Sequence, residues 1–319
     1  MSHKLSIVIP NYNGKHYLEK ILPKLSTSEH EIVIIDNSST DGSIEYLCEF
    51  ESQVNVILNS ENVGFAGAVN QGIRASQSEF VFLLNNDTDF ELDVFETMLD
   101  LIKSDEKIFS VASKMIQYHE PSLIDTAGDE YNILGWAHKR GYNKSSKTRD
   151  KGKRVFSSCA GAALYRKSVF EKIGYFDEDF FAYMEDVDIG YRANIYGYRN
   201  IYCPNAEILH IGSGTSGSGR NAFKARLSGR NNVYVAYKNM PLIQLIINLP
   251  FLFIGFLTKH FFFSRHKLGR VYLSGVLDGI RNSKKIQKTP FKFVHLYNYL
   301  WIEWRLIVNT FGFVLNRFI

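Results

Sequence analysis

The stretch that most constrains this chain is Phe80–Phe90, FVFLLNNDTDF. An unbroken run of Phe, Val and Leu passes straight into two amides and two carboxylates. Without apolar/polar alternation, the run predicts a strand buried on both faces of a parallel sheet. The polar residues then stand where that strand leaves the sheet, the edge at which open α/β sheets bind ligands. A carboxylate there, beside neutral amide oxygens, suits a divalent cation held against a phosphate.

The preceding residues build toward this strand. SIVIP (Ser6–Pro10) predicts a first strand ending in the turn NYNG, and EIVIID (Glu31–Asp36) a second ending in NSSTDGS. Between them Leu18, Ile21, Leu22 and Leu25 recur at helical spacing, with Pro23 placed to kink or end the helix. Ser43–Phe50 reads as a helix, Val54–Asn59 as a third strand, and ENVGFAGAVNQGI as a glycine-rich turn into a small-residue helix. After the fourth strand, Glu91–Lys103 places Leu92, Phe95, Leu99 and Ile102 on one helical face, with Asp89 positioned to cap it. A βαβαβαβα order predicts an α/β protein with a doubly wound, mainly parallel, Rossmann-like sheet.

Beyond Ser110 the pattern weakens. SVASKMI reads as a strand, 118–154 as a long irregular excursion, VFSSCAGAALYR as a strand and KSVFEKIG as a short helix. Glu185–Tyr196 predicts a helix with an acidic first turn, NIYCP and AEILHI two short strands, GSGTSGSGR a loop, and 221–238 a basic helix. Residues 239–258 carry no charge and approach bilayer-spanning length, yet contain Gln244, Asn248 and Pro250 and have cations on both flanks. Trp301, Trp304 and many aromatics follow, a pattern that favours helices lying in a membrane interface over a true span.

Charge divides the chain in the same place. Residues 1–219 hold 21 Lys and Arg against 31 Asp and Glu, a balance of −10; residues 220–319 hold 16 against Asp278 and Glu303 alone, a balance of +14. We therefore expect an α/β domain over 1–235 and a basic, aromatic, helical membrane-associated region over 236–319. Such a tail suits an anionic membrane surface or a phosphate-bearing partner, and no nucleic-acid-binding motif accompanies it. Cys48, Cys159 and Cys203 form no CxxC pair, so neither a disulfide framework nor a zinc site is expected, and a reduced compartment is the default. No signal peptide is expected before the first strand.

Several polar residues bear chemistry. Asp36 either makes a turn or accepts hydrogen bonds from a nucleotide base or ribose. The glycines at 64, 67 and 72 make no GxGxxG, and no GxxxxGK[ST] occurs, which argues against a dinucleotide dehydrogenase and a P-loop NTPase. Asp87, unlike Asp89, has no local capping role and is the candidate metal ligand. On a helix Glu185 and Asp188 share a face while Asp186 points about 100° away. Asp188 suits an i,i+4 pair with Arg192, and one of the other carboxylates could serve as a general base. His210 is either structural or a metal or phosphate contact. Arg220, Arg226 and Arg230 either grip phosphate or form a solvated basic face.

Taken in order, SIVIPNYNG, DNSSTDGS, ENVGFAGAVNQG, FLLNNDTDF, CAGAALYRKSVFEKIGYFDEDFFAYMEDVDIGYR and LHIGSGT resemble family 2 inverting glycosyltransferases of the GT-A fold, especially their rhamnosyltransferase-like branch. The resemblance spans about 5–232, and more loosely the membrane-associated tail. It implies a nucleotide-sugar donor, Mg²⁺ or Mn²⁺, inversion at the anomeric carbon, and a glycan or lipid-linked glycan acceptor in cell-surface polysaccharide synthesis. It places Pro10, Asn11, Tyr12, Asp36, Asn37, Asn62, Gly64, Phe65, Asn70, Asn85 and Asn86 on the donor. Asp87 and His210 fall at the metal, Asp186 as base, Glu185 beside the acceptor, and Arg220 and Arg226 on phosphate. Asn85 replaces the first Asp of the family's DxD motif, which leaves Asp87 as the main ligand. The implied location is the cytoplasmic face of the inner membrane, peripheral or monotopic, with one C-terminal transmembrane helix as the alternative. The rival readings are a nucleotidyltransferase making nucleotide sugars, which would carry a glycine-rich loop with Arg or Lys after the first strand, and a non-catalytic sugar-nucleotide-binding membrane protein.

Overall fold

The computed structural model describes residues 4–212, 217 and 219–318. The glycine- and serine-rich loop expected before Asn221 lies largely outside the described residues. The four apolar runs form strands as expected: β1 (Ser6–Asn11), α1 (Lys15–Leu25), β2 (Glu31–Asp36), α2 (Ser43–Cys48), β3 (Asn55–Leu58), α3 (Gly64–Ala75) and β4 (Phe80–Leu84). There follow β5 (Thr88–Phe90), α4 (Asp93–Lys103), β6 (Ile108–Gln117), β7 (Ile124–Thr126), β8 (Asp129–Tyr131), β9 (Ala137–Lys139), β10 (Lys153–Val155) and β11 (Ala162–Arg166). The remainder is α5 (Lys167–Ile173), α6 (Glu185–Ile195), β12 (Arg199–His210), α7 (Ala222–Asn239), α8 (Leu242–Arg265), α9 (Gly269–Asn282) and α10 (Leu296–Phe318).

The main sheet runs β10-β12-β6-β11-β4-β1-β2-β3. β3, β2, β1 and β4 are parallel neighbours; β11 is antiparallel to both β4 and β6, and β12 lies parallel to β6. The carboxyl ends of β1, β2, β4, β6 and β12 therefore share one edge. Every residue of β4 is buried, as its unbroken apolar run requires. Phe82 meets Phe95 of α4 edge-on at 5.0 Å, and α4 buries Val94, Phe95, Met98, Leu99 and Ile102, each worth roughly 1.5–3 kcal/mol of transfer free energy before entropy is counted. On the opposite face α3 packs through small residues. A Cβ on Gly72 would stand 2.3 Å from Val8 Cγ1, so only glycine lets helix and sheet approach this closely.

Three local expectations are corrected. NIYCP and AEILHI are one strand, β12, continuous through a register shift between Tyr202 and Glu207 that absorbs Pro204. Asp89 is not a helix cap. It belongs to β5, paired with Leu209 of β12, and α4 begins at Asp93 with no side-chain cap. The excursion over 118–154 is ordered: β7 extends the main sheet, β8 and β9 form a small sheet of their own, and β10 pairs with β12.

The C-terminal helices pack back on this body. In α10, Arg305 donates to Glu130 (2.8 Å), Asn309 to Glu130 and the Tyr131 carbonyl (2.9 Å each), and Asn298 to the Ile195 carbonyl (2.8 Å). α8 buries one stripe fully, Gln244, Asn248, Leu252 and Gly255. Gln244 and Asn248 donate to Glu303 of α10, and Trp136 Nε1 donates to the Gly255 carbonyl at 3.2 Å. Leu245 and Phe256 are half-buried against the core and Phe263 stacks on Tyr272 of α9, while Ile243, Ile246, Leu249 and Phe253 are exposed. α8 is long and apolar enough to cross a membrane by length and composition. α7 runs unbroken through residue 235, where the border between regions was expected.

Asp188 ties α6 to α7. Wholly buried, it accepts from Arg192 (2.7 Å) and Asn239 (2.7 Å) and lies 3.2 Å from the Lys238 ammonium. Burial opposes its charge, but Arg192 and Lys238 hold the carboxyl below its ordinary value. Asp188→Ala leaves buried Arg192 without a carboxylate and Lys238 with Asp177 alone, and we expect it to lower unfolding stability by about 3–5 kcal/mol, read as a shift of the urea midpoint.

Candidate active site

The shared edge of strand ends opens into a cavity of about 1610 Å³. Its floor is set by a chain of hydrogen bonds across three strands. Asn86 Nδ2, after β4, donates to Asn11 Oδ1 of β1 (2.6 Å); Asn11 Nδ2 donates to Asp36 Oδ2 of β2 (2.8 Å). Asp36 also accepts from the Ser39 backbone and hydroxyl. All its acceptor capacity is thus directed inward.

Of the residues expected on a donor, Pro10, Asn11, Tyr12, Asn37, Asn62, Gly64, Phe65, Asn85 and Asn86 line the cavity. Two do not. Asp36 is wholly buried beneath Asn11, and Asn70 faces the other side of α3, where it donates to the Phe176 carbonyl and Glu178. The arginines expected on phosphate are also elsewhere. Arg226 pairs with Asp278 of α9 at 2.7 Å, and Arg220 stacks on Phe262 of α8 beside His266; both are exposed, because α7 presents this part of its surface to α8 and α9 rather than to the cavity. Arg230 donates to the Phe180 carbonyl.

Asp87 and His210 meet as expected. The antiparallel pairing of β5 with β12 sets His210 opposite Thr88, and the Ile211 backbone donates to the Asp87 carbonyl. His210 Nε2 lies 3.4 Å from Asp87 Oδ1, and its Nδ1 lies 2.9 Å from Asp125 Oδ2. Lys139 Nζ donates to both Asp125 oxygens (2.7 and 2.8 Å). Burial opposes charge on both groups. The hydrogen bonds that His210 donates to Asp125 and Asp87 nevertheless carry it up to about 9, and those Asp125 accepts from His210 and Lys139, with their charges, hold it down at about 2. A carboxylate beside an imidazole whose second nitrogen is braced by another carboxylate is a donor set that fits Mg²⁺ or Mn²⁺.

The acidic start of α6 borders the same cavity. It is delivered by a turn in which Phe181, Tyr183 and Met184 all have left-handed φ (62°, 68° and 74°). Such residues pay a conformational penalty and need support. It comes from Asn231 of α7, whose amide donates to the carbonyls of Phe180, Ala182 and Tyr183 at 3.0, 2.9 and 2.7 Å. Gly64 closes on the same turn: a Cβ there would stand 2.6 Å from the Phe181 carbonyl oxygen. Asp186 is half-buried, its Oδ1 accepting from the Val187 backbone at 2.8 Å. Asp186, Asp129 and Cys159 place one ligand-type atom each within 4.8 Å of one another. Burial, with the Asp186 charge added, pushes Asp129 well above the ordinary carboxylate range; burial raises Asp186 too, against hydrogen bonds from the Val187 and Ala160 backbones. Burial also pushes the Cys159 thiol up. This cluster is therefore suited to taking up a proton. Glu185 is buried with Oε2 unpartnered, and burial followed by the Asp186 charge drives it toward the neutral acid.

Asp125, Asp129, Lys139 and Asn231 were not singled out from the sequence. The first three lie in the excursion, and only its folding over the strand ends makes them part of the site.

The family model described as Glycosyl transferase family 2 matches residues 6–174. The chain is 28% identical over 242 residues to an N-acetylglucosaminyl-diphospho-decaprenol L-rhamnosyltransferase of Mycobacterium tuberculosis, covering 66% of this chain and 76% of that one. It is 26% identical over 207 residues to a poly-beta-1,6-N-acetyl-D-glucosamine synthase of Staphylococcus aureus, covering 63% of this chain and 48% of that one, and so spans about half that protein's length. Among solved structures it is similar to the mannosyltransferase PcManGT from Pyrobaculum calidifontis in complex with GDP-Man and Mn²⁺ (13% identity, TM-score 0.53, 88% of both chains). It is also similar to S. aureus TarS 1-349 (16% identity, TM-score 0.57, 96% of this chain and 89% of that one). These likenesses show the GT-A fold.

In the chelator-treated protein the His210 imidazole should stay charged through neutral pH and lose its proton near pH 9. Asp125→Asn should bring that midpoint down by a unit or more, roughly the effect of one adjacent carboxylate. Imidazole NMR shifts followed against pH check both.

Proposed function

The chain belongs to glycosyl transferase family 2, and on that premise we propose that its cavity performs a single inverting displacement with Asp186 as base. The enzyme transfers a sugar from a nucleotide donor. In the proposed step Asp186 takes the proton of an acceptor hydroxyl as that oxygen attacks the sugar C1. The C1–oxygen bond to the nucleoside diphosphate breaks on the opposite face, and the configuration inverts. Asp87 and His210 would hold a divalent cation, with Asp125 bracing His210. When bound, that cation neutralises negative charge on the donor diphosphate. Neutral Glu185 is placed to donate a hydrogen bond to the acceptor. The asparagine-lined strand ends would hold the nucleotide, with Asp36 acting through Asn11 instead of touching it.

The observation that carries this reading is that Asp186, the Asp87–His210 pair and the donor-side residues open on one cavity. The finer readings draw support from the relatives. A rhamnosyl donor and a lipid-linked glycan acceptor follow the name of the mycobacterial relative, and a role in cell-surface polysaccharide synthesis suits both curated relatives. A GT-A domain over 1–235 and a membrane-associated region over 236–319 fit the bare faces of α8 and α10. Because α8 spends one stripe on the protein body and leaves the other apolar, we place it on the cytoplasmic membrane surface, monotopic rather than spanning.

Three measurements test the mechanism. Asp186→Asn should lower turnover by about 10²–10⁴-fold with donor affinity unchanged; near-normal turnover would remove Asp186 from the role. Since the ionised carboxylate is the base and its pKa is raised, wild-type kcat should fall on acidification well above the ordinary Asp value of about 3.9. Asp87→Asn should abolish Mn²⁺-stimulated hydrolysis of the donor, and a chelator should do the same to the wild type. Metal-independent hydrolysis at the wild-type rate would contradict the assignment.

A further inference from the structure

Away from Asp87 the cavity changes character. Arg140, Arg149, Lys153 and Arg305 line this end with one carboxylate, Glu130. Glu130 is already committed to Arg305 and Asn309. Among the described residues no carboxylate oxygen lies within 4.0 Å of a charged nitrogen of Arg140, Arg149 or Lys153. The Nε atoms of Arg149 and Arg305 are enclosed without a hydrogen-bond partner. Arg149 also has a left-handed backbone (φ 67°), and the Tyr202 hydroxyl donates to its carbonyl. Burial, with the charges of Arg140, Arg305 and Arg149 added, lowers the Lys153 pKa, as mutual repulsion in a shielded site requires. With Arg140 and Arg149 half-buried and Lys153 exposed beside them, this concentration of like charge is unfavourable until an anion enters.

The wall beside these cations is α10, through Val308, Gly312 and Phe313. Phe313 packs on Trp136, which is bonded to α8, and the outer faces of both helices are bare and apolar, including Trp304 and Phe311. The basic end of the cavity thus borders the surface we assign to the membrane.

We propose that Arg140, Arg149, Lys153 and Arg305 form a binding site for the diphosphate of a lipid-linked acceptor, its hydrocarbon tail leaving along α10 into the bilayer. This rests on the transferase reading and specifies its acceptor. A diphosphate diester carries two negative charges and four free oxygens, which arginine forks bind in pairs. A sugar linked through a single phosphodiester carries one charge and would leave most of these donors unpaired. The sugar hydroxyl would then lie toward Asp186, between the two anion-binding ends of the cavity.

The test uses the full chain in detergent micelles with undecaprenyl diphosphate, undecaprenol and inorganic pyrophosphate as probes. Undecaprenyl diphosphate should bind at least tenfold more tightly than undecaprenol and be displaced by excess pyrophosphate. The double variant Arg149→Gln, Lys153→Gln should weaken that binding at least tenfold at an unchanged thermal midpoint. If the double variant fails to fold, Lys153→Gln alone, at an exposed position, should still weaken binding severalfold. Variant binding equal to wild type, or equal binding of undecaprenol, would overturn the proposal. Pyrophosphate binding as tight as that of the lipid would overturn the membrane-delivered source. Nucleotide-sugar hydrolysis by the same wild-type preparation separates the two readings. Lipid diphosphate binding without hydrolysis would sink the transferase, and hydrolysis without lipid diphosphate binding would sink this site.

Discussion

Everything at the strand ends depends on one enclosed carboxylate. Asp36 holds Asn11 and Ser39, and Asn11 holds Asn86, so the exits of β2, β1 and β4 are locked together by hydrogen bonds between buried side chains. The peptide following each strand then has a fixed direction, and Asp87 inherits its position from that lock. A buried carboxylate with satisfied acceptors is a rigid fixture, whereas one lacking a partner would be a severe liability. Asn11 shows why an amide suits this position: it donates to Asp36 of β2 and accepts from Asn86 after β4.

A second element of rigidity acts at a distance. Asp186 sits two residues beyond a turn with three left-handed residues, a conformation that persists because Asn231 gathers three of its carbonyls. α7 is thereby coupled to the acid cluster, and Asp188 repeats the coupling one helical turn on. The helices following the sheet are structural supports of the site as well as an attachment to it.

How much of this could be read beforehand follows from the range of the interactions involved. The burial of β4, the placing of Asp87 just past its end and the acidic start of α6 are local consequences of pattern, and the sequence carries them openly. His210 could be suspected but not paired, because its partner is chosen by β12 lying against β5, a contact between residues more than a hundred positions apart. Asp89 looked like a cap for the same reason: its strand partner is invisible locally. Asp36 and Asn70 were assigned to the cavity because residue type does not disclose which way a side chain turns. Asp125 and Asp129 sit in a segment without periodicity, and nothing in their neighbours announces that it folds over the strand ends. Arg220 and Arg226 had no local signal separating a phosphate grip from a helix-packing role, and the packing of α7 on α9 decided it.

The docked stripe of α8 has a kinetic consequence. A protein seated by such a helix, with its acceptor embedded in the same leaflet, searches in two dimensions. Its effective acceptor concentration is a mole fraction of the lipid, not a molarity in the surrounding water. Adding inert lipid would dilute the reaction even at constant enzyme and acceptor, while the soluble donor would be indifferent to it. On the proposed seating and lipid-linked acceptor, Gln244, Asn248, Leu252 and Gly255, which dock α8, would set the units in which half of the reaction is counted.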